Sequence, residues 1–250
     1  MQLSIIIPTY HSKELITICI KSFEKFKPSN LSTKYIVVEN SSDTSYKKLV
    51  QSLANNVLWI NNETKARGSK ANAEGLEIGL KYVNEELVFL AHCDICLTSH
   101  LFLEIMFQRI QDGDQAVAFL CDRARIQAMH ILALLAKTEI VKKSDLQPKY
   151  HNGKQILDVG DGITQYCREN DIKYSSLDNT YNNPELERTL SEKFKKLSGM
   201  PRCVYNNEVL CMHLGRGILK TEGKYNKPNR VLFHEWVQLC EEIINEAGDQ

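Results

Sequence analysis

Strand-like and helix-like patterns alternate through the first ninety residues, and this alternation restricts the fold more than any other feature. Leu3-Ser-Ile-Ile-Ile-Pro8 is a β-branched run closed by proline, the composition of a strand buried on both faces. From Ser12 onward, apolar residues recur at Leu15, Ile16, Cys19, Ile20 and Phe23, the period of one helix face. Tyr35 to Val38 reads as a second buried strand, Tyr46 to Leu53 as a helix and Val57 to Ile60 as a third strand. Ala71 to Val83 sets Leu76, Leu80 and Val83 along one helical face, and Leu87 to Ala91 is a fourth strand running into His92-Cys93-Asp94. Strands alternating with helices imply right-handed crossovers and an α/β fold, a doubly wound, mostly parallel sheet with helices on both faces. Ligands of such sheets bind at the carboxyl ends of the strands, which marks the loops beginning at Pro8, Glu39, Asn61 and His92.

Past residue 100 the periodicity loosens. Leu101 to Ile110 predicts a helix and Ala116 to Leu120 a short strand, while residues 121–157 give no clear assignment apart from the strongly apolar Ile131 to Leu135. Asp161 to Asn170 and Arg188 to Leu197 read as helices, the second with an exposed basic face. Residues 175–185 read as an asparagine-rich loop. Cys203 to Tyr205 and Val209 to Met212 flank Asn206-Asn207, a hairpin signature, and Asn229 to Ala247 is an amphipathic closing helix.

Charge and composition narrow the partners. The 250 residues carry 31 Lys+Arg and 31 Asp+Glu, so no cationic excess exists to neutralise a phosphate backbone, and nucleic acid is not expected as a partner. A chain of this length can bury a full core without a disulfide or structural metal. No stretch reaches the ~18 apolar residues of a membrane span, and Met1-Gln2 lacks a basic secretory start. The expectation is a cytoplasmic protein with no transmembrane segment. The eight cysteines fall mainly within apolar periodic segments, as reduced core thiols do. Cys93-Asp-Ile-Cys96 imitates a zinc knuckle or redox pair, but Cys203 and Cys211 are too widely spaced to supply a matching second pair. The sequence has no G-x-G-x-x-G after its first strand, no P-loop and no G-x-S-x-G, which disfavours dehydrogenase, P-loop and α/β-hydrolase readings.

Several segments, in order, carry a resemblance. Leu3-Ser-Ile-Ile-Ile-Pro-Thr-Tyr10 and the helix after it resemble the opening of family 2 glycosyltransferases. Val37-Val-Glu-Asn-Ser-Ser-Asp43 is similar to that family's V-V-D-N-x-S-x-D, with Glu39 for the first aspartate and one residue fewer. Gly68-Ser-Lys-Ala-Asn72 resembles its glycine- and asparagine-bearing helix start, and Leu87 to Asp94 its strand ending in the metal-binding D-x-D, with His92 in the first carboxylate's place. Met212-His213-Leu-Gly-Arg-Gly217 resembles a late H-x-G-x-G segment. The likeness is specific in order and spacing over residues 3–100 and much weaker afterwards. It implies a GT-A-like fold and an inverting enzyme that moves a sugar from a nucleotide-sugar donor to a hydroxyl acceptor, a glycan or glycolipid. It assigns Pro8, Thr9, Tyr10, Glu39, Asn40, Asp43, Gly68, Asn72, Cys93 and Arg216 to the donor, and Asp94 with His213 to a divalent cation, Mn²⁺ or Mg²⁺.

The chemistry of these residue types agrees. A nucleoside diphosphate can leave only if its phosphates are held and their charge neutralised, which a cation on carboxylate ligands does. Asp94, at a strand end, could ligate that cation or cap the next helix, and His213 could complete the coordination while Gly215 and Gly217 admit phosphate and Arg216 adds a fixed charge. His92 is expected to be a loop histidine rather than a ligand. Glu39 could accept from base N–H groups or ribose hydroxyls, or be a solvated loop acid. Arg67 and Lys70 could reach the phosphates or be surface charges. Inversion also needs a base for the acceptor hydroxyl. Asp158-Val-Gly-Asp161 offers two catalytic candidates, one of which could simply cap the following helix; Asp158, preceding it, is the favoured base.

These assignments give one domain over residues 1–250: a nucleotide-sugar-binding half (1–100), an acceptor and metal-completing half (101–220) and a C-terminal helical segment (221–250). That segment closes the domain or makes a homo-oligomer contact. Two competing readings stay open, a degenerate nucleotide-sugar-binding protein, suggested by His92, and a nucleotidyltransferase, whose basic glycine-rich loop after the first strand is missing.

Overall fold

The computed structural model describes residues 1–197, 199–215 and 230–246. Strands β1 (Gln2–Thr9), β2 (Ser32–Glu39), β3 (Val57–Asn61) and β4 (Leu87–Ala91) lie parallel, linked by helices α1 (Lys13–Phe26), α2 (Lys47–Gln51) and α3 (Ser69–Leu80). A short strand β5 (Ile95–Leu97) follows at once, then α4 (Leu101–Gln111), β6 (Ala116–Ala118), β7 (Ala133–Lys137) and α5 (Thr138–Lys143). After a small hairpin of β8 (Lys149–His151) and β9 (Lys154–Leu157) come α6 (Asp161–Glu169) and β10 (Tyr174–Ser176). The chain ends with α7 (Glu192–Lys195), the hairpin β11 (Arg202–Tyr205) and β12 (Glu208–His213), and α8 (Arg230–Glu246). The seven-stranded sheet has the order β10-β6-β7-β4-β1-β2-β3, with β7 antiparallel to both its neighbours.

Burial on both faces explains the apolar runs in the strands. Ile5, Ile7, Tyr35, Val37 and Phe89 face one core with α1, α4 and α8, in which Trp236 is fully buried. Their neighbours Ile6, Ile36, Val38, Val88 and Leu90 face the other core with α3, α5 and α6. Among the described residues no helix is long and apolar enough to cross a membrane.

Beyond β4 the structure corrects the sequence reading at several points. β5 and β7 appear where no strand was assigned, and the expected loop over 175–185 begins with an edge strand, β10. The helix expected over Arg188 to Leu197 is broken. A 3-10 turn covers Pro184–Thr189, Leu190 and Ser191 are extended, and only Glu192–Lys195 is helical. Leu190 is 3% exposed, so its burial in the core takes precedence over helical propensity.

A separate three-stranded sheet, β11-β12-β5, sets the geometry of the site. Asn206 and Asn207 turn its hairpin with φ of 48° and 65°, the left-handed pair a two-residue turn requires. β12 then pairs antiparallel with β5, bringing His213 opposite Ile95.

The start of α6 is a tight passage. Gly160 has φ +78°, and a Cβ there would lie 2.1 Å from Ile131 Cγ2. At Gly162 a Cβ would lie 2.0 Å from the backbone oxygen of Asp145, which cannot swing aside as a side chain can. Gly162→Ala is therefore expected to cost about 2–3 kcal/mol and to lower Tm by about 5–10 °C in a thermal melt.

Candidate active site

Two backbone pairings build the centre of the site. His92 N–H at the end of β4 donates to Leu132 O (2.9 Å), and Leu214 N–H at the end of β12 donates to Asp94 O (3.0 Å). These place His213 Nε2 3.2 Å and His92 Nδ1 3.9 Å from the same carboxylate oxygen, Asp94 Oδ1. One ligand atom from each of the three residues lies within 4.8 Å of the others. Asp94 and His213 thus meet, and His92, expected to stand aside, joins them.

The histidines are held from behind. The Asn72 amide lies 3.2 Å from His92 Nε2, and the His130 ring stands nearly perpendicular to His92 with centroids 5.5 Å apart. Leu132 N–H in turn donates to His130 Nδ1 (3.1 Å). Burial pushes the His92 imidazolium down to about 4, against the pull of Asp94, and His130 down to about 3. Both rings are therefore neutral near pH 7, the form that binds metals. His213 Nε2 is buried and makes no hydrogen bond of good geometry among the described residues, despite its closeness to Asp94. One carboxylate, the neutral His92 imidazole and this unbonded nitrogen fit a divalent cation.

Of the residues expected at the donor, Pro8, Thr9, Tyr10, Glu39, Asn40 and Asp43 lie at the carboxyl ends of β1 and β2, Gly68 and Asn72 at the start of α3, and Cys93 just past β4. Tyr10 is exposed (39%), whereas Thr9 is buried and Pro8 packs against Gly75 of α3. Asn40 donates to Ala71 O (3.0 Å) and accepts from Asn62 (2.8 Å), tying β2 to the start of α3. Asp43 accepts from Ser45 N–H (2.8 Å) and lies 3.2 Å from His11 Nδ1; its bonds with Ser45 hold its carboxyl below the usual range. Gly68 begins α3 at φ 57° and ψ −135°, backbone that favours glycine. Cys93 is buried, its thiol pushed up to about 12 by desolvation, so it is no nucleophile at neutral pH.

Glu39 departs from expectation. It is fully buried, with Oε1 accepting from Ser41 N–H (3.0 Å) and His11 N–H (3.3 Å) and Oε2 from the Tyr46 hydroxyl. Its carboxylate supports the loop from beneath rather than facing the cleft. Glu39→Ala is expected to leave these donors without an acceptor and to cost about 1–3 kcal/mol, measured as a lower denaturant midpoint.

Asp158 and Asp161 divide their work as their environments dictate. Asp161, with 5% of its side chain exposed, accepts from Asp158 N–H (2.8 Å) and Arg125 Nε (2.9 Å). Desolvation raises its carboxyl above the usual range despite these bonds. Asp158 is 24% exposed and accepts from Gln155 Nε2 (2.9 Å) and Val159 N–H (2.8 Å). Burial works to raise it, but bonds from Ser69 and Val159 and the Arg125 charge outweigh burial and hold it low. Its charge also acts on His92 and His130. Arg125 joins Asp122, Asp158 and Asp161 from a loop where its own φ is +47°. Nothing in the sequence singled it out, nor His130, since an isolated basic residue between elements carries no periodic signal. Arg216 lies outside the described residues.

Residues 4–152 match the family model described as Glycosyl transferase family 2, while no curated protein matches the chain. Solved structures share the fold at low identity. The mannosyltransferase PcManGT from Pyrobaculum calidifontis, in complex with GDP-Man and Mn²⁺, superposes with a TM-score of 0.53 at 14% identity, over 98% of this chain and 73% of that one. TarS 1-349 from S. aureus gives 0.51 at 16%, over 71% of this chain and 58% of that one. Glucosyl-3-phosphoglycerate synthase from Mycobacterium tuberculosis, in complex with Mn²⁺, uridine-diphosphate and glucosyl-3-phosphoglycerate, gives 0.50 at 15%, over 70% and 69%. The match thus spans 58% of the TarS fragment's length. The fold is GT-A-like, as the resemblance implied.

Proposed function

From the premise that this chain belongs to glycosyl transferase family 2, we propose that it transfers a sugar from a nucleoside-diphosphate donor to a hydroxyl of a glycan or glycolipid, with inversion. The observation that carries this reading is the meeting of His92, Asp94 and His213 at the carboxyl end of the sheet, where the Asp158 charge acts on His92. Asp94, His213 and His92 would hold a divalent cation, which when bound offsets the charge developing on the departing diphosphate. Tyr10 offers an exposed ring against which a base can stack, and Asp43 stands near it through His11. Asp158 takes the acceptor's proton as its oxygen attacks the anomeric carbon. The new bond forms on the face opposite the breaking bond to phosphate. Asp161 and Arg125 keep the carboxylate pair in place.

A screen of UDP-, GDP- and dTDP-sugars with Mn²⁺ or Mg²⁺ tests the reading by release of nucleoside diphosphate. One base is expected to be preferred, release is expected to stop on chelation, and any glycoside formed should have the anomeric configuration opposite to the donor's. Absence of binding and release with every donor would sink it.

A further inference from the structure

Resting on the reading above, we propose that the cation site of this chain prefers a first-row transition ion such as Mn²⁺, Fe²⁺ or Co²⁺ over Mg²⁺, and takes it up before any nucleotide arrives. The departure at His92 carries the proposal. A site of carboxylates alone is hard and suits Mg²⁺, which keeps its waters and waits for substrate phosphates. Here the protein itself supplies two imidazole nitrogens and one carboxylate oxygen, separated by 3.9 and 3.2 Å and together within 4.8 Å. Imidazole favours transition ions over Mg²⁺, and three protein donors fill half of an octahedral shell without help from a nucleotide.

The donors are also positioned beforehand. Asp94 and His213 sit on paired backbone, through Leu214 N–H to Asp94 O and the β12–β5 register. The His92 ring is held by Asn72 on Nε2 and by the edge of His130. With its proton on Nε2, His92 would bond to Asn72 Oδ1 once that amide turns over, leaving Nδ1 for the ion. Little ordering remains to be done when the ion binds.

The test is direct titration of the full, nucleotide-free chain with Mn²⁺, Co²⁺ and Mg²⁺, by calorimetry and by the visible spectrum of Co²⁺. Mn²⁺ and Co²⁺ are expected to bind at least about 10-fold more tightly than Mg²⁺. His92→Asp should shrink that ratio about 10-fold and change the Co²⁺ spectrum as a nitrogen donor is replaced by oxygen. Should His92→Asp fail to fold by circular dichroism, His92→Gln serves instead, with Mn²⁺ affinity falling and Mg²⁺ affinity unchanged. Equal Mg²⁺ and Mn²⁺ affinity in the wild type, or a ratio that neither variant moves, overturns the proposal. Failure of the glycosyl-transfer reading looks different, since Mn²⁺ would still be selected while no nucleotide-sugar is bound or cleaved.

Discussion

Asp94→Ala is expected to abolish cation-dependent binding of a nucleoside diphosphate and to lower turnover about 10³-fold or more. Asp94 supplies the lone carboxylate in the His92–Asp94–His213 group, so its loss leaves two imidazoles and no negative charge to hold a divalent ion. The side chain is small and 5% exposed, and its backbone oxygen, which accepts from Leu214 N–H, survives the substitution. The fold should therefore persist, and a thermal melt near the wild-type Tm separates loss of the site from loss of structure. His213→Ala should act in the same direction but less severely, because Asp94 and His92 remain. Calorimetric titration with nucleoside diphosphate, with and without Mn²⁺, reads both effects. A variant lacking Asp94 that still responds to the ion places the site elsewhere.

Which parts of this arrangement were legible follows from the range of the interactions involved. β1 to β4 and their helices were readable because each is long enough to show its period and each crossover is local in sequence. β5, three residues long, is a strand only because β12 pairs with it from more than a hundred residues away, and no local pattern records that pairing. β7 lies between β4 and β6, and its antiparallel direction depends on the path of residues 121–132 rather than on its own composition. The same contrast runs through the site. Asp94 stood out as an acid at a strand end, and His213 for its glycine context. His92 and His130 gain meaning only when the strand ends converge, and the ring–ring contact between them joins chain segments 38 residues apart. Glu39 shows the reverse case. Its place at the end of β2 was readable, but the turn of its side chain inward to Tyr46 and Ser41 depends on partners that fold over it.

The two aspartates before α6 should separate cleanly by substitution. Asp158→Asn is expected to lower kcat about 10²-fold or more while donor binding persists, as removal of a general base does. Asp161→Asn is expected to cost about 1–3 kcal/mol in stability, because it weakens the buried bonds that Asp158 N–H and Arg125 Nε make to this carboxylate. The reasoning rests on what each carboxylate already does. Asp161 has its bonding oxygen committed to Asp158 N–H and Arg125 Nε, and burial raises its proton affinity. Asp158 is the more exposed of the pair, and its charge acts on His92 and His130. Hydrogen bonds and the Arg125 charge outweigh its own burial, holding its carboxyl below the usual range, so it is ionised and able to accept a proton at neutral pH. Activity should accordingly stay level as pH falls from neutrality and drop only as pH passes below the ordinary carboxylate range. Measured kcat should thus track Asp158, while the urea midpoint tracks Asp161. Near-normal turnover in both variants would mean that the acceptor's proton goes to another group, and that the Asp158–Arg125–Asp161 cluster serves only to fix the entry into α6.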